Sequence, residues 1–446
     1  MSTEFHFILP DSGVRSVALV LNADGTYSLP KFNQGSEVRY NTVTGINDAL
    51  RKAWNVTTTV SRCLLEGDQT TPAIFAMHNH DADWHPKANE AAWHGLEQIS
   101  QLNFANPEHR KHLLEWIESL SDETWIHVPW SAPEWNERAS NWISESVRNI
   151  GAEVLSGPEQ VRAWAISAVI KVETDQGIFY FKAVPDFFGH APILEKYLSE
   201  HFPENFIDIT AIEPNQHWML SKEWVGENPR SSEEWRHILQ VVADIQMHCK
   251  DNVDELLSFG CKDRRLSKLP DLVLPIFEEL KDPGMLEMYG INMEEANELR
   301  RRLELFPELC ARLNKHGLPE TLIHGDLWGN NIIYRDKLSG KSPVIFDWTD
   351  ASIAHPFIDI YLLLTSEPDL SKRPMLRQIF VDVWSERFPQ TTVVAALEAA
   401  ELVAPFYFMY AFRNVQLNAP KASRWELAFL FKRFVRNILL LPELVS

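Results

Sequence analysis

The chain of 446 residues is short of positive charge: 42 Lys and Arg face 62 Asp and Glu, for a net charge of −20. Such a field repels phosphate backbones and anionic lipid, so neither a nucleic-acid nor a membrane partner is expected. Cysteine is scarce too. Cys63, Cys249, Cys261 and Cys310 show no C-x-x-C spacing, so free thiols in a reducing compartment are expected and the protein is read as cytoplasmic. His248 precedes Cys249, but neighbours on a helix point about 100° apart and make no nucleophile–base pair. The opening MSTEFHFILP lacks a basic region and a long apolar core, so no signal peptide is expected. The apolar run LVAPFYFMYAF (402–412) is too short for a bilayer and reads as a buried helix. The sequence shows no internal repeat and sets no oligomeric state.

What is present is ordinary for a globular protein, with 45% hydrophobic and 23% charged residues, over a length that implies two or three domains. The 16 Trp hint at pockets for organic ligands. Residues 1–150 read as an α+β domain: strands at 16–22, 26–32 and 57–65, a helix at 45–54, and an amphipathic helix at 108–120. Residues 151–226 read as a small sheet-rich lobe. WAISAVIKVET (164–174) and IFYFKAV (178–184) form a hairpin, a helix follows at 191–202, and HWMLSKEWVG (217–226) closes the lobe. Residues 227–446 read as helical, and Ser231-x-x-Glu234 is a capping-box signature.

Chemistry concentrates in TLIHGDLWGNNIIY (321–334) and PVIFDWTDA (343–351). Asp326 and Asn331 lie five residues apart, and Asp347 ends a second β-branched run. A three-residue loop Leu338-Ser339-Gly340 would pair Arg335 with Pro343 and set position 331 opposite 347. Asn331 and Asp347 could then grip one cation while Asn330 points away; a four-residue loop would spoil this register. One amide oxygen and one carboxylate suit Mg²⁺, which takes its other ligands from water and phosphate. Asp326 could accept the proton of a hydroxyl attacking that phosphate.

HGDLWGNN followed by IFDW resembles the aminoglycoside phosphotransferase and choline kinase-like superfamily, whose motif is H-x-D-x-x-x-x-N and then a metal-binding Asp in a hydrophobic strand. HGDLWGN is also similar to fructosamine kinases. The resemblance implies an α+β fold: a two-lobed protein kinase-like core, with a small β-rich lobe and a large helical lobe, preceded by the N-terminal α+β domain. It implies an ATP- and Mg-dependent phosphotransferase with an alcohol group as acceptor. Asp326 would be the catalytic base, His324 the structural histidine of the catalytic loop, and Asn331 and Asp347 the metal ligands. Lys182 in IFYFKAV would contact the nucleotide phosphates, with Glu195 as its carboxylate partner. Lys222, Glu223 and Val225 would offer backbone groups to adenine. No G-x-G-x-x-G is present. QVRAWAISAV (160–169) would cover the phosphates instead, with Ser167 as a contact or a plain strand serine. Asp359 in ASIAHPFIDIYLLL would brace the catalytic loop.

Nothing resembles an activation loop with an A-P-E anchor, so the expected partner is a small molecule with a hydroxyl group, amine-bearing or sugar-like, rather than a protein. ATP and GTP stay open as donors. Acceptor pockets would come from helices at 232–249 and 395–436. Two rival functions remain: an inactive kinase-like binding module, and nucleotide hydrolysis by the N-terminal domain. DGTYSLPKF before GINDALRKAW faintly resembles Nudix-like domains. Yet the helix has Asp48 and Arg51 in place of the glutamates of R-E-x-x-E-E, which leaves ligand binding, shaping of the substrate site or a structural role. AMHNHDADWH (76–85) offers His78, His80 and His85 beside Asp81 and Asp83, either a metal site or a solvated polar turn.

Overall fold

The computed structural model describes residues 3–68, 70–121, 128–337 and 340–442. By contact they group into two compact units, Met1–Pro185 with Ala419–Glu426, and Asp186–Asn418 with Leu427–Ser446. The class is α+β, as the sequence pattern and the resemblance imply. The first unit takes in the strands up to Ala183, which the sequence pattern sets apart from residues 1–150.

The first unit opens with a four-stranded sheet in the order Lys31–Asn33, Glu4–Ile8, Ala73–Asn79, Thr58–Leu65. Glu4–Ile8 runs parallel to Ala73–Asn79, and the other pairs are antiparallel. Every residue of Ala73–Asn79 is buried. A strand covered on both faces loses the alternation that marks a half-exposed one. Ser16–Leu21 pairs with Ala92–Gly95 and Tyr27–Ser28 in a second sheet. The expected strand 26–32 is broken after Ser28, where Leu29 and Pro30 precede Lys31–Asn33. The helix Thr44–Trp54 buries Ile46, Leu50 and Trp54 on one face and ends on Asn55 in the left-handed region, at φ 52°.

Three antiparallel strands of the first unit follow: Glu159–Trp164, Ser167–Thr174 and Gly177–Ala183. The expected strand 164–174 is interrupted, because Trp164 pairs directly with Ser167 across the turn Ala165-Ile166. The strand Glu159–Trp164 is tied to earlier residues. Thr58–Leu65 is the edge strand of its sheet, so outward backbone groups such as those of Val60 have no ladder partner, and its ladder shifts register between Val60 and Arg62. The buried Gln160 amide meets the Val60 groups: Val60 N donates to Oε1 at 2.8 Å, and Nε2 donates to Val60 O at 2.9 Å. Asn47 Nδ2 also donates to Gln160 Oε1, at 3.1 Å.

In the second unit, the helices Ser232–Cys249, Met293–Asn314, Arg373–Ser385, Gln390–Asn418 and Ala428–Leu439 share one apolar core. The Ser231–Glu234 capping box forms as expected, and Asn292–Glu295 makes a second. The run 402–412 lies within Gln390–Asn418, whose 29 residues are long and apolar enough to cross a membrane by length and composition. Most of that apolar window, 67%, is buried inside the protein. Two small sheets position the polar residues of this unit. Thr321–Ile323 pairs antiparallel with Ser352–Ala354, and Ile332–Lys337 forms a hairpin with Gly340–Ile345.

Replacing Gln160 by Leu deprives the Val60 N–H and C=O of their partner at a buried position. The expected loss is ~2–4 kcal/mol of unfolding free energy in urea titration, about 1–3 kcal/mol for each stranded group less the gain of apolar burial.

Candidate active site

The strand Thr321–Ile323 ends directly before His324, so the loop that follows starts from a fixed point. Asp359 fixes it further. Its Oδ2 accepts from His324 N at 2.8 Å and from Gln246 Nε2 at 3.1 Å, and its Oδ1 accepts from Gly325 N at 2.9 Å. Burial pushes this carboxyl up to about 7 despite the three donors. The brace expected of Asp359 is therefore in place. Gly325 has φ +78°, and an added Cβ would collide with the Asp350 carbonyl oxygen. Only glycine lets the loop pass that close.

His324 Nδ1 accepts the Asp326 amide at 3.2 Å, and Nε2–H donates to the Phe346 carbonyl at 3.0 Å. These two bonds set the neutral Nε2–H tautomer. The ring also packs against Trp348, 4.7 Å between centroids. His324 thus ties the loop to the end of the hairpin strand.

The Asp326 carboxylate is oriented from two sides. Asn331 Nδ2 donates to its Oδ2 at 2.9 Å and to its backbone carbonyl at 2.9 Å. Trp328 Nε1 donates to the same Oδ2 at 3.3 Å. Burial, then the negative charges of Asp350 and Asp347, push the Asp326 carboxyl well above the ordinary carboxylate range, against those hydrogen bonds. Asn331 is 7% exposed, while Asn330 is exposed. Asp347 takes the left-handed conformation, φ 64° and ψ 59°, and accepts from Thr349 Oγ1 at 2.6 Å. A non-glycine residue held there is strained, and such strain concentrates at functional sites.

The expected hairpin register is corrected. Tyr334, not Arg335, pairs with Pro343, and Lys337 pairs with Gly340. Gly340 is therefore a strand residue; Leu338 and Ser339 lie outside the described residues. The slip of one residue sets 331 opposite 346, and Phe346 N donates to Asn331 O at 3.1 Å. Asp347 comes near Asp326 through its left-handed turn, not through strand pairing. The sequence reading missed Asp350, whose charge acts on Asp326 ahead of that of Asp347. The spacing in D-W-T-D was a usable signal, because residues three apart eclipse in a 3₁₀ turn, and Trp348–Asp350 is one.

The remaining candidates lie on other elements. In the first unit, Lys182 is half-buried in Gly177–Ala183, and the buried Ser167 hydroxyl accepts from Trp164 Nε1 at 2.7 Å. In the second, Glu195 is 1% exposed on the helix Ala191–His201. Lys222 ends the strand Trp218–Lys222 and bonds Asp208 O through its amide at 3.2 Å. Glu223 is half-buried and the Val225 side chain is 75% exposed. His78 is buried in a strand, with its ring centroid 6.4 Å from that of His80, and His85 is held by the Asp83 carbonyl. Among the described residues no group of three or more His, Cys, Asp and Glu is placed to hold a metal, so the histidine cluster is not assembled as a site. All four cysteines are free and buried.

Residues 268–396 match the sequence model of the phosphotransferase enzyme family. A comparison with curated protein sequences found no significant match. Similar solved structures include an ethanolamine kinase of Plasmodium vivax, 12% identical, covering 75% of this chain and 94% of its own, TM-score 0.45. The choline kinase LicA of Streptococcus pneumoniae is 14% identical and covers 67% of this chain and 98% of its own, TM-score 0.43. A spectinomycin phosphotransferase solved with ADP and spectinomycin is 12% identical and covers 67% of this chain and 97% of its own, TM-score 0.43.

The raised Asp359 carboxyl gives a test of the brace. Its folded pKa lies above the unfolded value of 3.8, so its stabilising share is full below about pH 4 and is lost as pH rises through about 7. Asp359→Asn does not titrate. The Tm deficit of this variant against wild type should shrink as pH is raised from 5 to 8 in thermal unfolding scans. Through residues 268–396, which hold both HGDLWGNN and IFDW, the chain resembles the phosphotransferase enzyme family.

Proposed function

We propose that this chain is an ATP- and Mg²⁺-dependent small-molecule kinase that transfers the γ-phosphoryl group to an acceptor hydroxyl. The observation that carries the reading is the Asp326 carboxylate, oriented by Asn331 and Trp328 and facing the charges of Asp347 and Asp350. The family match over residues 268–396 supports it.

In this reading Asp326 aligns the acceptor hydroxyl and takes its proton as the oxygen attacks the γ-phosphorus. Asp359, Gly325 and His324 keep that carboxylate in place. The donor set fits a hard divalent cation. Asn331 spends its amide nitrogen on Asp326, which leaves a carbonyl oxygen, and Asp347 adds a carboxylate. A cation would also answer the repulsion among three neighbouring carboxylates. Asn331 and Asp347 would hold Mg²⁺, which when bound supplies positive charge to the phosphate oxygens.

Lys182 would steady the α- and β-phosphates and Glu195 would orient it, as the resemblance implies. Backbone groups over 222–225 would meet the adenine. Ser167, whose oxygen already accepts the Trp164 indole, keeps its hydroxyl proton for a phosphate oxygen. The acidic balance favours amine-bearing acceptors, beside which sugar-like ones stay open, and the cysteine spacing favours a cytoplasmic setting. Hydrolysis by the N-terminal residues is not favoured, because the helix Thr44–Trp54 carries Asp48 and Arg51 where such a hydrolase needs an array of glutamates.

The test is ATP turnover over a panel of amino alcohols, sugars and aminoglycosides. Asp326→Asn should lower kcat by ~10²–10⁴-fold with nucleotide affinity retained. Asp347→Ala should raise the Mg²⁺ concentration for half-maximal activity by at least ~10-fold. Nucleotide binding without Asp326-dependent turnover on any acceptor would make the chain a binding module instead.

A further inference from the structure

The turn Ala165-Ile166 joins the two strands assigned above to covering the nucleotide phosphates. Such a tip is ordinarily held by its two strands alone. Here it is gripped by the other end of the chain. Ala165 N donates to Glu426 Oε2 at 2.9 Å across 261 residues of sequence. Ala165 is 1% exposed and Glu426 2% exposed. Glu426 ends the stretch Ala419–Glu426, which belongs by contact to the first unit although the helices on either side, Gln390–Asn418 and Ala428–Leu439, belong to the second. The chain thus leaves one unit, runs eight residues through the other and returns.

The strap has aromatic partners around the same tip. Tyr40 packs on Trp425 at 5.5 Å and on Trp164 at 6.0 Å between ring centroids. Thr42 bridges to Arg162, and Val43 N donates to Val161 O at 3.1 Å. The same strand is held at its start by the Gln160 clamp on Val60. The strand is therefore anchored at its base, along its length and at its tip. A buried carboxylate is a costly way to hold one amide. Burial outweighs the Ala165 and Ser423 hydrogen bonds and the nearby Arg62, and pushes the Glu426 carboxyl up to about 7. Stability alone would be served as well by an apolar side chain; fixing one tip geometry would not.

We infer that Glu426 is a positioning residue: through Ala165 it fixes the hairpin tip that covers the nucleotide phosphates, and residues 1–150 serve as the seat of that hairpin. The inference rests on the kinase reading for its consequence, but the clamp itself does not.

The test uses the full chain with Glu426→Ala and Glu426→Gln, the second retaining an oxygen acceptor. Hydrogen exchange of peptides over 160–170 should quicken in Glu426→Ala and stay near wild type in Glu426→Gln. The KM for ATP should rise at least ~10-fold in Glu426→Ala, with kcat and acceptor KM within about twofold, and Glu426→Gln should recover most of it. Should Glu426→Ala fail to fold, Glu426→Asp, which withdraws the carboxylate by one methylene, is read the same way. Unchanged exchange in the variant overturns the clamp. Quickened exchange with unchanged ATP KM overturns the positioning role. A wild type that binds no ATP overturns the kinase reading and the positioning role together, while exchange still decides the clamp.

Discussion

The candidate site depends on one buried carboxylate. Asp359 is 2% exposed and accepts three hydrogen bonds, two of them from consecutive loop amides. An isolated carboxylate at that depth would be costly; three donors repay much of the cost and lock the geometry in return. The amides of His324 and Gly325 can meet both oxygens of one carboxylate only if the chain folds sharply between them. Gly325 permits that fold, and its missing side chain lets Asp350 approach. The positions of His324, Asp326 and Asn331 all follow from that anchorage.

Around Asp326 the charges are arranged against themselves. Burial first, and then the nearby charges of Asp350 and Asp347, push the Asp326 carboxyl well above its ordinary range. A fold selected for stability alone would disperse them. Like charges kept together in a partly exposed loop are the ground on which the cation of the proposed reaction is argued. That logic does not depend on the family resemblance and converges with it.

Much of this was legible in the sequence where the signal is local. The helix Thr44–Trp54, the Ser231–Glu234 capping box and the strand ends at Ile323 and Ile345 carry their own period or cap. Asn331 could be told from Asn330 by its offset from Asp326, and only Asn331 is buried against that carboxylate. The reasoning by strand register failed, because the hairpin pairs one residue out of the expected step and Asp347 leaves the strand altogether. Nothing local in DKLSGK decides whether Tyr334 or Arg335 pairs with Pro343. The strand Ala73–Asn79 was hidden by burial on both faces, and the Ala165 turn by β-favouring residues on either side. The roles of Gln160 and Glu426 were out of reach, because their partners lie 100 and 261 residues away.

That last separation bears on how the molecule is made. The first unit draws its final stretch, Ala419–Glu426, from close to the end of the chain. At ~5–20 residues per second, a ribosome releases residue 165 tens of seconds before residue 426. For that interval the Ala165 amide and the aromatic surface around Tyr40 and Trp164 wait without their cover, although most of the unit's own sheets can already pair. The first unit therefore cannot be completed before residues 419–426 are made, and a ribosome that stops short of them leaves both units unfinished.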